Sequence, residues 1–237
     1  MAAPRTARER ARAELTRDIK DVALRQIAGS GAAGLSLRGI SRELDMVSSA
    51  IYRYFPSRDD LLTAMLIDFY NELADALWAA QDTIAAEATR TSAGFRRRWV
   101  TVCTAMRDWA LAHPHQFTLL YGTPVPGYRA PVDTTVPAER VMTAFSGIVD
   151  EAARAGLFTS VRALPDGESG LVGQLTAAGS LLGDQIPPEV LARTVAGLAQ
   201  VIGMITLELG GHFVGGFEPA DALFEHAATR LAETIER

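Results

Sequence analysis

Cysteine is nearly absent from this chain: Cys103 is the single one in 237 residues, so no internal disulfide can form. Such sparing use suits a reducing compartment, and a cytoplasmic setting is the expectation. No uninterrupted apolar run of about 18 residues occurs, so no membrane-spanning helix is expected. The opening stretch, from Met1 to Leu15, carries charge throughout and lacks the apolar core of a secretory leader. Alternating strand patterns are missing as well, which makes the expected fold class all-α. Catalytic patterns are equally wanting. No nucleophile–base pairing, phosphate loop or carboxylate dyad stands out, and His113-Pro114-His115 has no Cys or carboxylate companions to complete a metal site. Neither an enzyme, a cofactor nor a metal is expected.

What is present is an ordinary globular composition, 48% hydrophobic and 22% charged, enough to bury a sizeable core. The net charge is −5, but it is unevenly spread. Residues 1–58 hold eleven Lys/Arg against six Asp/Glu, a net +5, which leaves −10 for the remainder. Asymmetry of this kind points to a basic nucleic-acid-binding portion, although a solvated basic helix would give the same count.

Periodicity predicts a first helix over roughly Arg8 to Ala28, with Leu15, Ile19, Val22, Ala23 and Ile27 on one stripe. Gly29-Ser30-Gly31 ends it. The basic arm from Arg5 to Arg12 could reach the minor groove or the DNA backbone, but the expectation is disorder with electrostatic attraction. Ser36 can cap a short helix through Leu44, and Asp45-Met46-Val47 makes a turn. Ser48 can cap a second short helix, Ser49 to Tyr54, which Pro56 stops. Ser57-Arg58-Asp59-Asp60 has the form of a capping box opening a long apolar-faced helix that carries Leu61, Leu62, Met65, Leu66, Phe69, Leu73 and Leu77. Further helices are predicted near 92–112, 116–121, 134–155, 168–182, 188–213 and 219–236. Breaks fall at the long loop Gly122–Val132, at Gly156, at Pro165-Asp166-Gly167 and at Pro187-Pro188.

Two stretches carry a family pattern: Leu35 to Leu44, with Ile40 and Leu44 inward, and Ile51-Tyr52-Arg53-Tyr54-Phe55 followed by Pro56 to Leu62. Together they resemble the TetR family of repressors over about 45 residues. The resemblance implies an N-terminal three-helix helix-turn-helix domain, residues 1–60 with a linking helix to about 80. It also implies a C-terminal helical effector-binding and dimerisation domain over 81–237. On this reading the protein is a DNA-binding regulator, a repressor released from a palindromic double-stranded operator by a small molecule. One departure is Asp45, where the family usually has Gly; Asp tolerates the left-handed conformation better than most residues.

The chemistry of the short helix fits that implication. Ser48, Ser49 and Ala50 are small enough for close approach to base edges, Ala50 can meet a thymine methyl, and Arg53 can contact guanine in bidentate fashion. Tyr52 and Tyr54 offer hydroxyls to phosphate or base, or else pack, and Arg58 at the next helix start suits a phosphate. Ser36 and Arg38 are placed to hold the DNA backbone. The core that fixes these helices would be Leu35, Ile40, Leu44, Ile51 and Phe55.

Farther on, Trp109, His113 and Tyr121-Gly122, followed by Pro124-Val125-Pro126-Gly127-Tyr128, resemble the Trp-His-Gly class of effector domains within the family. This implies a small-molecule pocket. Candidate lining residues are Trp99, Cys103, Met106, Trp109, His113, Phe117, Tyr121, Tyr128 and Phe145, the same residues a solid core would use. Arg96-Arg97-Arg98 could meet an acidic ligand or form a solvated face. The last two helices, with Gly197, Gly203, Gly210 and Gly211 among Val201, Ile205, Leu209 and Phe213, are the expected homodimer surface. The alternative from another class is an all-α small-molecule-binding protein or enzyme with no role on DNA.

Overall fold

In a computed structural model that describes residues 6–158 and 169–237, every regular element among the described residues is helical. Contacts divide the chain into two compact units, residues 1–69 with 115–134, and residues 70–114 with 135–237.

The first unit begins with α1 (Ala7–Ser30), longer than periodicity predicts. Thr6 and Glu9 form a reciprocal capping box: the Glu9 amide donates to Thr6 Oγ1, and the Thr6 amide to Glu9 Oε2 at 2.8 Å. That box makes the predicted disordered arm helical from Ala7 onward; Arg5 lies outside the described residues. The stripe of Ile19, Val22, Ala23 and Ile27 is buried as expected, while Leu15 is only half-buried. A 3-10 turn, Ala32–Gly34, leads into α2 (Leu37–Glu43), where Ser36 Oγ accepts from the Gly39 amide as the sequence predicts.

Asp45 adopts φ 51°, the left-handed conformation expected of it. Next comes α3 (Ser48–Ile51), shorter than predicted, and its N-cap is Val47 rather than Ser48. Tyr52, Arg53 and Tyr54 continue as a tight turn, held by hydrogen bonds donated by the Arg53 amide to the Ala50 carbonyl and by the Phe55 amide to the Ile51 carbonyl. Proline at 56 forces residue 55 out of the helical region, so the last turn cannot propagate. α4 (Arg58–Gln81) starts with the Asp60 amide donating to Ser57 Oγ. α6 (Pro114–Tyr121) and the loop after it also belong to this unit, and there Tyr128 shares a 2.9 Å hydroxyl bond with Thr63.

The second unit contains the end of α4, α5 (Ser92–Ala112), α7 (Thr135–Arg154), α8 (Ser169–Leu182), α9 (Pro188–Leu209) and α10 (Asp221–Glu236). The α5 helix packs on α7, α9 and α10. Its first turn sits directly on the preceding 3-10 turn, Ala86–Arg90; a Cβ at Gly94 would lie 1.8 Å from the Ala88 carbonyl oxygen, so only glycine fits. The predicted helix 188–213 ends at Leu209, because Gly210 and Gly211, the latter at φ 74°, turn the chain away. The break predicted at Pro165-Asp166-Gly167 lies outside the described residues.

Although the sequence has no uninterrupted apolar run of that length, α9 is long and apolar enough to cross a membrane by length and composition alone, with a mean hydropathy of 1.7. Instead it buries Val190, Leu191, Leu198, Val201 and Ile205 within its unit. Its other face, with Val195, Ala196, Ala199 and Leu207, is exposed, as are Leu171, Val172 and Leu181 on α8. In contrast α10 commits Phe224, Ala228, Leu231 and Ile235 to the interior.

Candidate nucleic-acid interface and effector region

The interface is built on a small core. Leu35, Ile40, Ile51 and Phe55 are buried, and Leu44 is half-buried, so α2 and α3 are fixed by apolar contact. Polar ties complete the scaffold. Gln26 on α1 accepts from the Ser36 amide at 3.1 Å, and its amide nitrogen lies 2.9 Å from where a Gly39 Cβ would be. Arg25 on α1 pairs with Glu43 on α2 at 2.7 Å.

On this scaffold the outward residues of the turn and α3 are Val47, Ser48, Ser49, Tyr52 and Arg53, with Ala50 half-buried among them. Val47 is 72% exposed, an apolar side chain on this outward face, and was not singled out by the sequence. The Arg38 and Arg53 side chains are exposed and have no partner among the described residues. Two predicted contacts sit differently. Arg58 donates from Nη2 to the Ala32 carbonyl at 2.8 Å and is half-buried, so it braces the α1–α2 connection instead of projecting toward a phosphate. Tyr54 is half-buried with the Arg12 guanidinium 5.6 Å from its ring centre, so its face is already taken. Both outcomes depend on residues far away in sequence, which local spacing cannot reveal.

The nine pocket candidates divide between the units: Phe117, Tyr121 and Tyr128 in the first, and the other six in the second. Trp99, Cys103, Met106 and Phe145 are fully buried, with Trp99 and Phe145 edge to face at 5.5 Å. They form solid core, and none of the nine lines the solvent-open cavity of about 510 Å³ bounded by the end of α4, α5 and α10. Trp109 and His113 stack at 5.0 Å, and His113 Nδ1 lies 2.9 Å from the Trp109 carbonyl oxygen. That is a helix-capping arrangement.

Burial pushes the Cys103 thiol far above its ordinary pKa. The thiol is therefore expected to ignore thiol reagents at pH 8 in the folded protein and to react fully once denatured. Rapid native labelling would contradict this packing.

The arginine run is not a uniform solvated face. Arg97 is exposed, whereas Arg96 pairs with Glu236 at 2.7 Å. Arg98 is buried against Glu151 and donates to Gln81 at 3.2 Å. Sequence singled out none of the charges around Arg107. Its guanidinium binds Glu208 through Nε and Nη2 at 2.7 and 2.6 Å and Asp221 through Nη1 at 3.1 Å, while lying 5.4 Å from the Phe224 ring centre. The Arg107 guanidinium in turn holds the Asp221 carboxyl below its usual range.

A capped helix, a left-handed turn and a short exposed helix on a shared apolar core define a helix-turn-helix DNA-binding module. Residues 19–65 match the family described as bacterial regulatory proteins, tetR family, and residues 99–231 match the Tetracyclin repressor-like, C-terminal domain. HTH-type transcriptional regulators of Mycobacterium bovis and Mycobacterium tuberculosis are 36% identical to this chain over 231 residues, 96% of it and 94% of theirs. The crystal structure of SCO4313 superimposes with a TM-score of 0.74 at 36% identity, covering 97% of this chain and 98% of that one. A tetR-family regulatory protein from Rhodococcus RHA1, 18% identical with a TM-score of 0.56 over 94% of this chain and 95% of its own, shares the fold. The chain belongs to the TetR family of helix-turn-helix transcriptional regulators.

Proposed function

We propose that the protein is a homodimeric repressor that binds a near-palindromic operator and is released from it by a small molecule. The observation that carries the DNA reading is the exposed face of Ser48, Ser49, Tyr52 and Arg53, backed by buried Ile51 and Phe55. Ser48, Ser49 and Ala50 admit the helix to the major groove, Arg53 reads a guanine, and Val47 joins Ala50 as an apolar partner for a thymine methyl. Tyr52, Arg38 and Ser36 hold the backbone. Tyr54 and Arg58 support this surface from behind.

Dimerisation centres on α9, whose exposed Val195, Ala199 and Leu207 need a cover, with α8 supplying Leu171 and Leu181. Gly203 has nothing within 4 Å of an added Cβ, which leaves room for close approach. The sequence also assigns α10 to this surface; its Phe224, Ala228, Leu231 and Ile235 are buried, and Ala222, Leu223 and Ala227 remain exposed or half-buried to contribute. A twofold pair sets its reading helices roughly 34 Å apart, one DNA turn. The functional division then falls near residue 60, with the effector part from about 81 onward.

A gel shift against the DNA upstream of the protein's own gene tests the reading. Specific binding should fall by about a thousandfold as salt rises from about 50 to 200 mM, through release of phosphate counterions. No binding to any duplex at low salt would end the repressor reading.

A further inference from the structure

We infer that the cavity between the end of α4, the middle of α5 and the start of α10 binds a small protonated amine carried on an apolar body. Its volume of about 510 Å³ falls in the range of small-molecule sites. The walls supply an apolar bed from Ala80, Val100, Ala105 and Phe224.

Two lining hydroxyls lack the backbone bond that many helical threonines make. Thr16, Thr194, Thr206 and Thr234 each donate back to the carbonyl four residues earlier. Thr101 and Thr104 line the cavity and have no hydrogen-bond partner among the described residues, so both remain available to a ligand.

Charge selects the class. The lining holds Asp108, Asp221 and Glu225 against Arg107 alone, a net of −2. Arg107 cannot serve an anion, because Glu208 and Asp221 already take its Nε, Nη1 and Nη2. Asp108 and Glu225 have no ion-pair partner among the described residues. An ammonium group seated between them would gain charge-assisted hydrogen bonds, while a carboxylate there would face uncompensated repulsion. The assignment names the chemical class of the effector proposed above, and it rests on that reading only for its consequence on DNA.

Titration calorimetry of the full-length protein with 4-phenylbutylamine and with 4-phenylbutyrate, alike in body and opposite in charge, tests the site. The amine should bind at least about tenfold more tightly. Asp108→Asn combined with Glu225→Gln should erase that preference, with the melting temperature as a folding control, since both residues are exposed. Equal binding of the two probes, an unchanged preference in the double variant, or no heat from either probe would each overturn the assignment. A gel shift with the amine separates the two ideas. Amine that binds yet leaves operator affinity unchanged defeats the effector reading and keeps the site. If calorimetry shows no amine binding while specific operator binding is intact, the site falls and the repressor reading stands.

Discussion

The double substitution Tyr52→Ala with Arg53→Ala is expected to lower operator affinity by about a hundredfold or more, with the dimer and the melting temperature unchanged. Each bidentate arginine–guanine contact contributes roughly 1–3 kcal/mol of discrimination, and a twofold dimer loses it at both half-sites. Removing Tyr52 deletes a backbone hydrogen bond as well. Neither side chain supports the fold: Arg53 is exposed without a partner among the described residues, and Tyr52 is 42% exposed. Titrating labelled operator against each variant, with sedimentation to check the dimer, gives the answer. The single variants should differ in kind. Arg53→Ala should relax base preference, while Arg38→Ala should weaken all sequences alike and flatten the salt slope. If the double variant bound its operator normally, the reading surface would lie elsewhere.

Trp99→Ala should destabilise the second unit by about 3–5 kcal/mol, whereas Trp99→Phe should cost much less. The reason is specific to this packing. Trp99 is fully buried, meets Phe145 edge-on at 5.5 Å and lies 3.5 Å from where a Gly197 Cβ would be, so the alanine variant leaves a large void. Its indole N–H has no partner among the described residues, so phenylalanine removes a buried unsatisfied donor along with part of the ring. Urea unfolding of the two variants compares them directly. An alanine variant as stable as the phenylalanine one would show that the ring fills a pliable site, and Trp99 would return to the list of pocket residues.

The helix-turn-helix was legible because its signals are local. Ser36 as a cap, Asp45 in the left-handed turn and the spacing of Ile40, Ile51 and Phe55 all act within a few residues of one another. The capping box of Thr6 and Glu9 was equally local and could have been read; it would have replaced the expected disordered arm with helix. Arg58 and Tyr54 could not have been placed this way. Their partners, Ala32 and Arg12, lie 26 and 42 positions away, and a free arginine and a braced one look alike in a sequence.

The effector region was less legible for a related reason. Aromatic residues at helical spacing satisfy a core and a ligand pocket equally, and only packing distinguishes them. In the structure Trp99, Cys103, Met106 and Phe145 close on one another, while the cavity opens along α5 on the side of Thr101, Thr104 and Asp108, residues too ordinary to stand out.

By itself the sequence determined the all-α class and the family, since periodicity, caps and a short spaced motif are properties of neighbouring residues. Tertiary structure alone decided which arginines are exposed and which are braced, which aromatics are buried, and which apolar stripe of α9 stays exposed. Those outcomes depend on what distant segments bring to each side chain, and burial is a property of the folded chain rather than of the residue.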